Sequence, residues 1–430
     1  MRISFFALAM PLLALASPVQ VTYYKDVLPV LQKNCQSCHR PGETAPMSFL
    51  SYKETRPWAK GIKQAVSSRK MPPWFADPRY GKFHNDRSLA EKDSQTLISW
   101  ADSGATEGNP SDAPKPIQWT KGWQIGEPDL IVEMPKDYEI PAEGTIDYQY
   151  FVLPLNLKED KWIQLAEARP GNPQLVHHII AFIRPPGSKW MASAVPGEPF
   201  NPRTAPRTGL GEERNGFSDM VAGFAPGTLP NILQPGQGRL IPAGSDIVFQ
   251  MHYTANGKPG RDRSKLGLIF AKQPPVDRVF YLAAGENKFR IPPGADNHRV
   301  DASFTLQSDA TLISMLPHMH LRGKSFEYRA TFPDGKTETL LSVPHYSFSW
   351  QLGYFPEKPM LLPKGTKIDV TAHFDNSANN KANPNPQAEV RYGDQSWEEM
   401  MIGFFEVSIP VGMDPVKVMR PERKPKPAED

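Results

Sequence analysis

Two cysteines and ten histidines carry most of the chemistry this sequence offers. Cys35-Gln36-Ser37-Cys38-His39 sets two thiols three apart with an imidazole directly after them. That is the pattern for covalent attachment of a c-type haem, the thiols fixing the porphyrin edge and His39 serving as proximal iron ligand. The competing reading is a redox disulfide, since an adjacent imidazole lowers a thiol pKa. These are the only cysteines, however, and no thioredoxin-like βαβ pattern surrounds them. Five histidines lie in three further segments: Leu175-Val176-His177-His178-Ile179-Ile180, Phe249-Gln250-Met251-His252-Tyr253 and Pro317-His318-Met319-His320.

Strand geometry tests whether those imidazoles can converge. Residues two apart share a face, so His318 and His320 can chelate one ion, and Gln250 and His252 can line one wall. His177 and His178 fail that test, because alternation sends neighbours to opposite faces; joint ligation requires a bulge or a strongly twisted strand. Each piece also has a plainer reading as a buried, hydrogen-bonded histidine beside a surface one. Imidazole-rich sites favour copper or zinc, and a thioether shifts the preference towards copper, especially Cu(I). Spacing alone does not choose between the metals.

The elements that must hold these groups divide the chain. Met1-Arg2 and the apolar run from Ile3 to Ala16 read as a cleaved export signal over 1–17, too short to span a bilayer. The mature protein is therefore expected outside the cytoplasm, periplasmic or extracellular, with no membrane span. With 430 residues the chain exceeds one hydrophobic core, and 46 prolines with 31 glycines favour β architecture with many turns. A formal charge of +3 without a basic stripe argues against nucleic acid.

Residues 18–108 read as helical, with helices expected at Tyr24 to Asn34, Ser51 to Lys70 and Glu91 to Asp102, the last stopped by Gly104. Residues 109–121 read as a linker. Ten strands are expected downstream, among them Asp129 to Met134, Asp246 to Tyr253, Lys367 to Phe374 and Met401 to Val407, with the β region divided near Gln273-Pro274-Pro275 into 122–275 and 276–415 and a tail at 416–430. The fold class expected is a small all-α domain followed by two all-β sandwiches.

Helices flanking a haem motif in under a hundred residues resemble a small class I-type cytochrome c domain, which usually supplies methionine as the sixth ligand. Met71, in Lys70-Met71-Pro72-Pro73-Trp74, is the candidate: prolines stiffen the loop and Trp74 would pack the haem edge. Met47 and His84 compete with it.

The order His-His, Gln-x-His-Tyr, His-x-His and Glu-Glu-Met across 125–410 resembles the copper type II, ascorbate-dependent monooxygenases, the family of peptidylglycine α-hydroxylating monooxygenase and dopamine β-monooxygenase. The resemblance implies two jelly-roll-like sandwiches, each holding one copper, facing across a solvent-filled cleft. It assigns His177, His178 and His252 to an electron-transfer copper, and His318, His320 and Met400 to the copper that handles O2; the adjacent Met401 is the natural rival. The cofactors implied are one covalent haem c and two copper ions, and the partners O2, a small organic substrate and, beyond the built-in haem, an external electron donor. Departures are informative. The β region has no cysteine, Leu316 stands where the peptide enzymes carry an arginine, and Phe404 where they carry a tyrosine. An apolar or weakly polar substrate is therefore expected, and the haem domain is expected to replace ascorbate as reductant. A non-catalytic electron-transfer or copper-binding protein on the same scaffold is the alternative.

Overall fold

A computed structural model describes residues 20–43, 45–120, 122–204, 220–226, 228 and 230–420. The expected export signal lies outside the described residues, as does 421–430 of the expected tail. The chain forms two compact units, one of residues 20–41, 45–72 and 89–117, the other of 42–43, 73–88 and the described residues from 118 onward.

The first unit is helical. A helical turn at Tyr23–Val27 runs into Leu28–Asn34, where Pro29 occupies the first turn at no hydrogen-bonding cost. Tyr52–Thr55 starts at a capping box: Ser51 Oγ accepts from Glu54 N at 3.3 Å and donates to Glu54 Oε2 at 2.7 Å. Ala59–Ser67 and Glu91–Asp102 complete it, and Gly104, at φ +91°, takes the left-handed conformation that ends the last helix. Tyr23, Leu31, Leu97 and Trp100 are fully buried at its centre.

The second unit is β-rich. Its largest sheet has nine strands, eight of them in the order Leu130–Glu133, Lys265–Phe270, Lys161–Arg169, Gln237–Ile241, Asp277–Glu286, Met401–Pro410, Ala310–His318 and Met360–Leu362, with Asn231–Ile232 paired to Lys161–Arg169. One four-stranded sheet joins Gln149–Pro154, Asp246–Tyr253, Val176–Arg184 and Met220–Phe224; another joins His298–Thr305, Lys367–Phe374, Gly323–Thr331 and Thr337–Val343. One apolar core includes Val132, Ile163, Phe249 and Leu268, and a second Leu312, Phe326, Val370 and Phe405. A third draws Tyr148, Val152 and Phe182 together with Met400, Ile402 and Phe404, so both halves of the β region contribute to it. Among the described residues no helix is long and apolar enough to cross a membrane.

Three boundaries differ from the sequence reading. The division near Gln273-Pro274-Pro275 does not interrupt the large sheet, because Asp277 and Arg278 pair in parallel with Gln237 and Gly238 on the other side of it. Residues 73–88, placed by sequence in the helical domain, fold with the β unit. The reason is local. Trp74 packs on Tyr354 at 5.0 Å, Phe83 bridges to Pro356, and Asp77 N donates to Ser342 O at 2.8 Å. Gly81, at φ +69°, passes so close to Leu340 O that a Cβ would meet it at 2.6 Å. The expected linker also begins later, since Asn109 caps a short turn at Pro110–Asp112 and the helical unit extends to Ile117.

Candidate metal centres

His177 and His178 sit at the start of the strand Val176–Arg184, beside Asp246–Tyr253. The register passes from Val176↔Tyr253 to His178↔His252, which leaves His177 as the extra residue of a β-bulge. The bulge cancels the alternation that would part the two side chains. Their Nδ1 atoms come to 3.4 Å, and ligand atoms of His177, His178 and His252 all lie within 4.8 Å of one another. His252 Nε2 and Ser396 Oγ share a hydrogen bond at 3.3 Å, and His252 Nδ1 is buried without a partner. Burial holds all three imidazoles below the ordinary histidine range, His177 at about 4 and His252 at about 3. Neutral imidazole is the form that ligates a metal. Nitrogens bound to one ion at ~2 Å lie within ~4 Å of each other, so the widest pair must close by under ~1 Å.

The second cluster is arranged by hydrogen bonds. His318 Nδ1–H donates to Gln351 Oε1 at 2.8 Å and His320 Nδ1–H to Glu398 O at 3.3 Å, which fixes both tautomers and leaves Nε2 as the ligand atom. The rings lie 5.2 Å apart, and His320 Nε2 is buried without a partner. Glu399, fully buried, accepts from His320 N at 2.8 Å and Arg322 N at 2.6 Å. Burial pushes its carboxyl up to about 8 despite those donors. Arg322, itself buried, donates to Asn376 Oδ1 and Trp397 O, which pins the turn after His320.

The two methionines separate cleanly. Met401 begins its strand inside the apolar core with Phe405, whereas Met400 belongs to the cluster that contains Ile402, Phe404 and Leu316. His318 pairs with Ile402, a member of that same cluster. Met400 thus lies on the His318 side of the strand, and Met401 in the core.

Phe348 stands between the clusters, stacked on His177 at 4.8 Å and 5.9 Å from His320. A cavity of about 110 Å³ is lined by His178 and His318, one from each cluster, with Leu316 and Phe404 on its wall. These last two are direct neighbours in the sheet, so the positions read as apolar from sequence form one apolar surface.

The donor sets fit the metals expected of them: three convergent neutral imidazoles in one, two oriented imidazoles with a thioether on the His318 side of the strand in the other. Sequence reasoning missed Gln351, Phe348 and the role of Glu399. Only Glu399 left a signal, as a charged pair directly before a methionine.

In the helical unit, Cys35, Cys38 and His39 form a turn after Leu28–Asn34, with Cys38 N and His39 N both donating to Cys35 O. Both cysteines are free thiols, so the disulfide is not formed. Burial pushes the Cys35 thiol up to about 12, opposite to what a redox-active pair needs. His39 Nδ1–H donates to Met47 O at 3.3 Å and its ring stacks on Phe49 at 4.3 Å, which leaves Nε2 for an iron. The residues present fit a covalent haem. Met71 is half-buried and lies outside the unit's apolar cluster, which takes in Met47 beside Cys35. His84 folds with the β unit, its ring beside Phe355, and Trp74 packs on Tyr354 within the β unit, where the sequence reading had it on the haem edge.

No family model matches the chain, and no curated protein matches it. Among solved structures, the infectious bursal disease virus VP2 subviral particle is 11% identical over 68% of this chain and 75% of its own, with a TM-score of 0.19. PNGF-II is 9% identical over 65% and 64%, at 0.28, and allantoicase 9% identical over 56% and 79%, at 0.17. At these scores the likenesses bear on neither fold nor activity.

Proposed function

We propose that this chain is an exported haem- and copper-dependent monooxygenase that hydroxylates a C–H bond of a small organic substrate with O2. The helical unit is read as cytochrome c-like and the two β halves as jelly-roll-like sandwiches. The observation that carries the reading is the pairing of unlike donor sets beside one cavity: three imidazoles brought together by the bulge at His177, and His318 and His320 with Met400 on the His318 side of the strand.

Bound at these sites, haem and copper would supply one-electron transfer, and the thioether-ligated copper the O2 chemistry, with the haem as built-in reductant. The chain's own residues do the rest. Cys35 and Cys38 would tether the porphyrin, and Met47 O holds the His39 ring by its Nδ1–H. Gln351 and Glu398 O keep the Nδ1 protons of His318 and His320, so that both rings offer Nε2 in one direction. Glu399 fixes the backbone between His320 and Arg322. Leu316 and Phe404 make the wall beside the histidines apolar, which favours hydroxylation over loss of reduced oxygen to solvent.

Oxygen uptake by the reduced protein, loaded with copper in a strain that matures cytochromes c, tests the reading against a panel of small apolar compounds. Uptake matched one to one by hydroxylated product is expected. Two bound coppers with no product from any compound would favour the electron-transfer alternative, and bound zinc without oxygen chemistry after copper loading would favour a binding protein.

A further inference from the structure

The segment 73–88 is placed by the chain between helices of the first unit, yet it contributes Trp74, Asn85 and Arg87 to the wall of the cavity beside His178 and His318. It is held there firmly. Asn85 Nδ2 donates to Gly353 O at 2.8 Å, its Oδ1 accepts from Phe355 N at 3.1 Å, His84 N donates to Phe355 O at 3.0 Å, and Glu357 N to Lys82 O at 2.8 Å. The segment therefore forms a strap on the stretch Gly353–Glu357, and Trp74 closes the cavity from its own base on Tyr354.

Inside, the lining is chiefly apolar, with Trp74, Ile180, Leu316, Phe355 and Phe404 among its members. Apart from the ligand nitrogen of His178, one polar group on the wall is buried and unspent. Gln351 is nine-tenths buried, its Oε1 is taken by His318 Nδ1–H, and its Nε2 is buried without a partner. A buried donor of this kind strongly rewards a ligand that brings an acceptor. Size is the third constraint. About 110 Å³, of the same order as the roughly 150 Å³ of a buried apolar cavity that takes benzene, leaves room for about one ring.

We propose that the strap 73–88 is the specificity wall of this cavity, and that the cavity takes a molecule of about one ring carrying a single oxygen acceptor, held by Gln351 Nε2–H with its apolar body against Trp74. This deepens the monooxygenase reading by naming the substrate class, and rests on it for the chemistry. Gln351 is in this view a positioning residue for both a ligand histidine and the substrate.

Calorimetric binding to the full-length chain, with and without copper, tests it using phenol, toluene and 2-naphthol as probes. Phenol is expected to bind at least tenfold more tightly than toluene, which lacks the acceptor, and at least tenfold more tightly than 2-naphthol, which has a second ring. Trp74→Ala should remove the size preference and keep the preference for phenol over toluene; Gln351→Leu, which offers neither donor nor acceptor, should do the reverse. Trp74→Leu, which keeps an apolar contact to Tyr354, carries the same test where the alanine variant does not fold. Equal binding of all three probes, or a size preference unmoved by either Trp74 variant, would overturn the proposal. Failure of every probe in a chain that holds two coppers would refute the pocket alone, whereas selective binding in a chain that takes up no copper would refute the copper reading alone.

Discussion

The two histidine clusters solve the same problem by different means. At His177, His178 and His252 the backbone does the work: one bulge residue brings three nitrogens together, with Ser396 bonded to His252 and the two adjacent rings to each other. At His318 and His320 the backbone is an ordinary strand end, and the rings are aimed by groups 33 and 78 residues away, Gln351 Oε1 and Glu398 O. A site filled by three converging imidazoles suits a metal that changes charge with little change of ligands. A site with two imidazoles, a thioether and an apolar cavity alongside suits one that must accept a further ligand. The first should depend on the shape of a single strand, and the second on contacts distant in sequence.

The comparison breaks most visibly at the ligands. Replacing His177 and His178 by alanine should remove one of two bound coppers, and replacing His318 and His320 the other, each read by metal analysis after gel filtration. Loss of both metals from either double variant would mean that the clusters are one site.

Glu399→Gln sharpens the contrast in the second cluster. It replaces one acceptor oxygen by a donor facing the N–H groups of His320 and Arg322. A loss of about 1–3 kcal/mol in denaturant unfolding is expected, with copper lost from the His318 and His320 site first. No mutation of comparable reach exists at the bulge, where backbone shape carries the site.

In metal-free protein the histidines also set an acid limit. The folded values of about 4 for His177 and about 3 for His252 lie below the unfolded value of 6.5. Between those limits the unfolded chain binds more protons, so stability should fall as pH drops from 6.5 towards 4, by at most about 1.4 kcal/mol per histidine and pH unit. Urea unfolding from pH 7 to 4 checks this, and the slope should flatten in the His177→Ala/His178→Ala variant.

The smallest change concerns two adjacent methionines. Met400→Leu and Met401→Leu should each cost under about 1.5 kcal/mol, since volume is kept. Only the first should weaken Cu(I) binding, measured by competition with a Cu(I) chelator.

How far the sequence could be read follows the same division. The helix expected at Glu91 to Asp102 and the strands expected at Asp246 to Tyr253 and Lys367 to Phe374 form with those bounds, because periodicity is a local property. The need for a bulge at His177 and His178 was also legible, since alternation alone forbids their convergence. Gln351, Phe348 and the buried duty of Glu399 were not, because each acts on residues far along the chain and carries no motif of its own. The strap 73–88 was misplaced for a related reason: Trp74 and Phe83 show no helical period, and only their partners Tyr354 and Pro356 reveal which unit they join.

X-ray absorption of the Cu(I)-loaded protein tests the central claim, two unlike copper sites, most directly. Sulfur scattering is expected from about half of the copper, persisting in His177→Ala/His178→Ala and vanishing in Met400→Leu. Sulfur absent from the parent protein, or still present in Met400→Leu, would contradict the account.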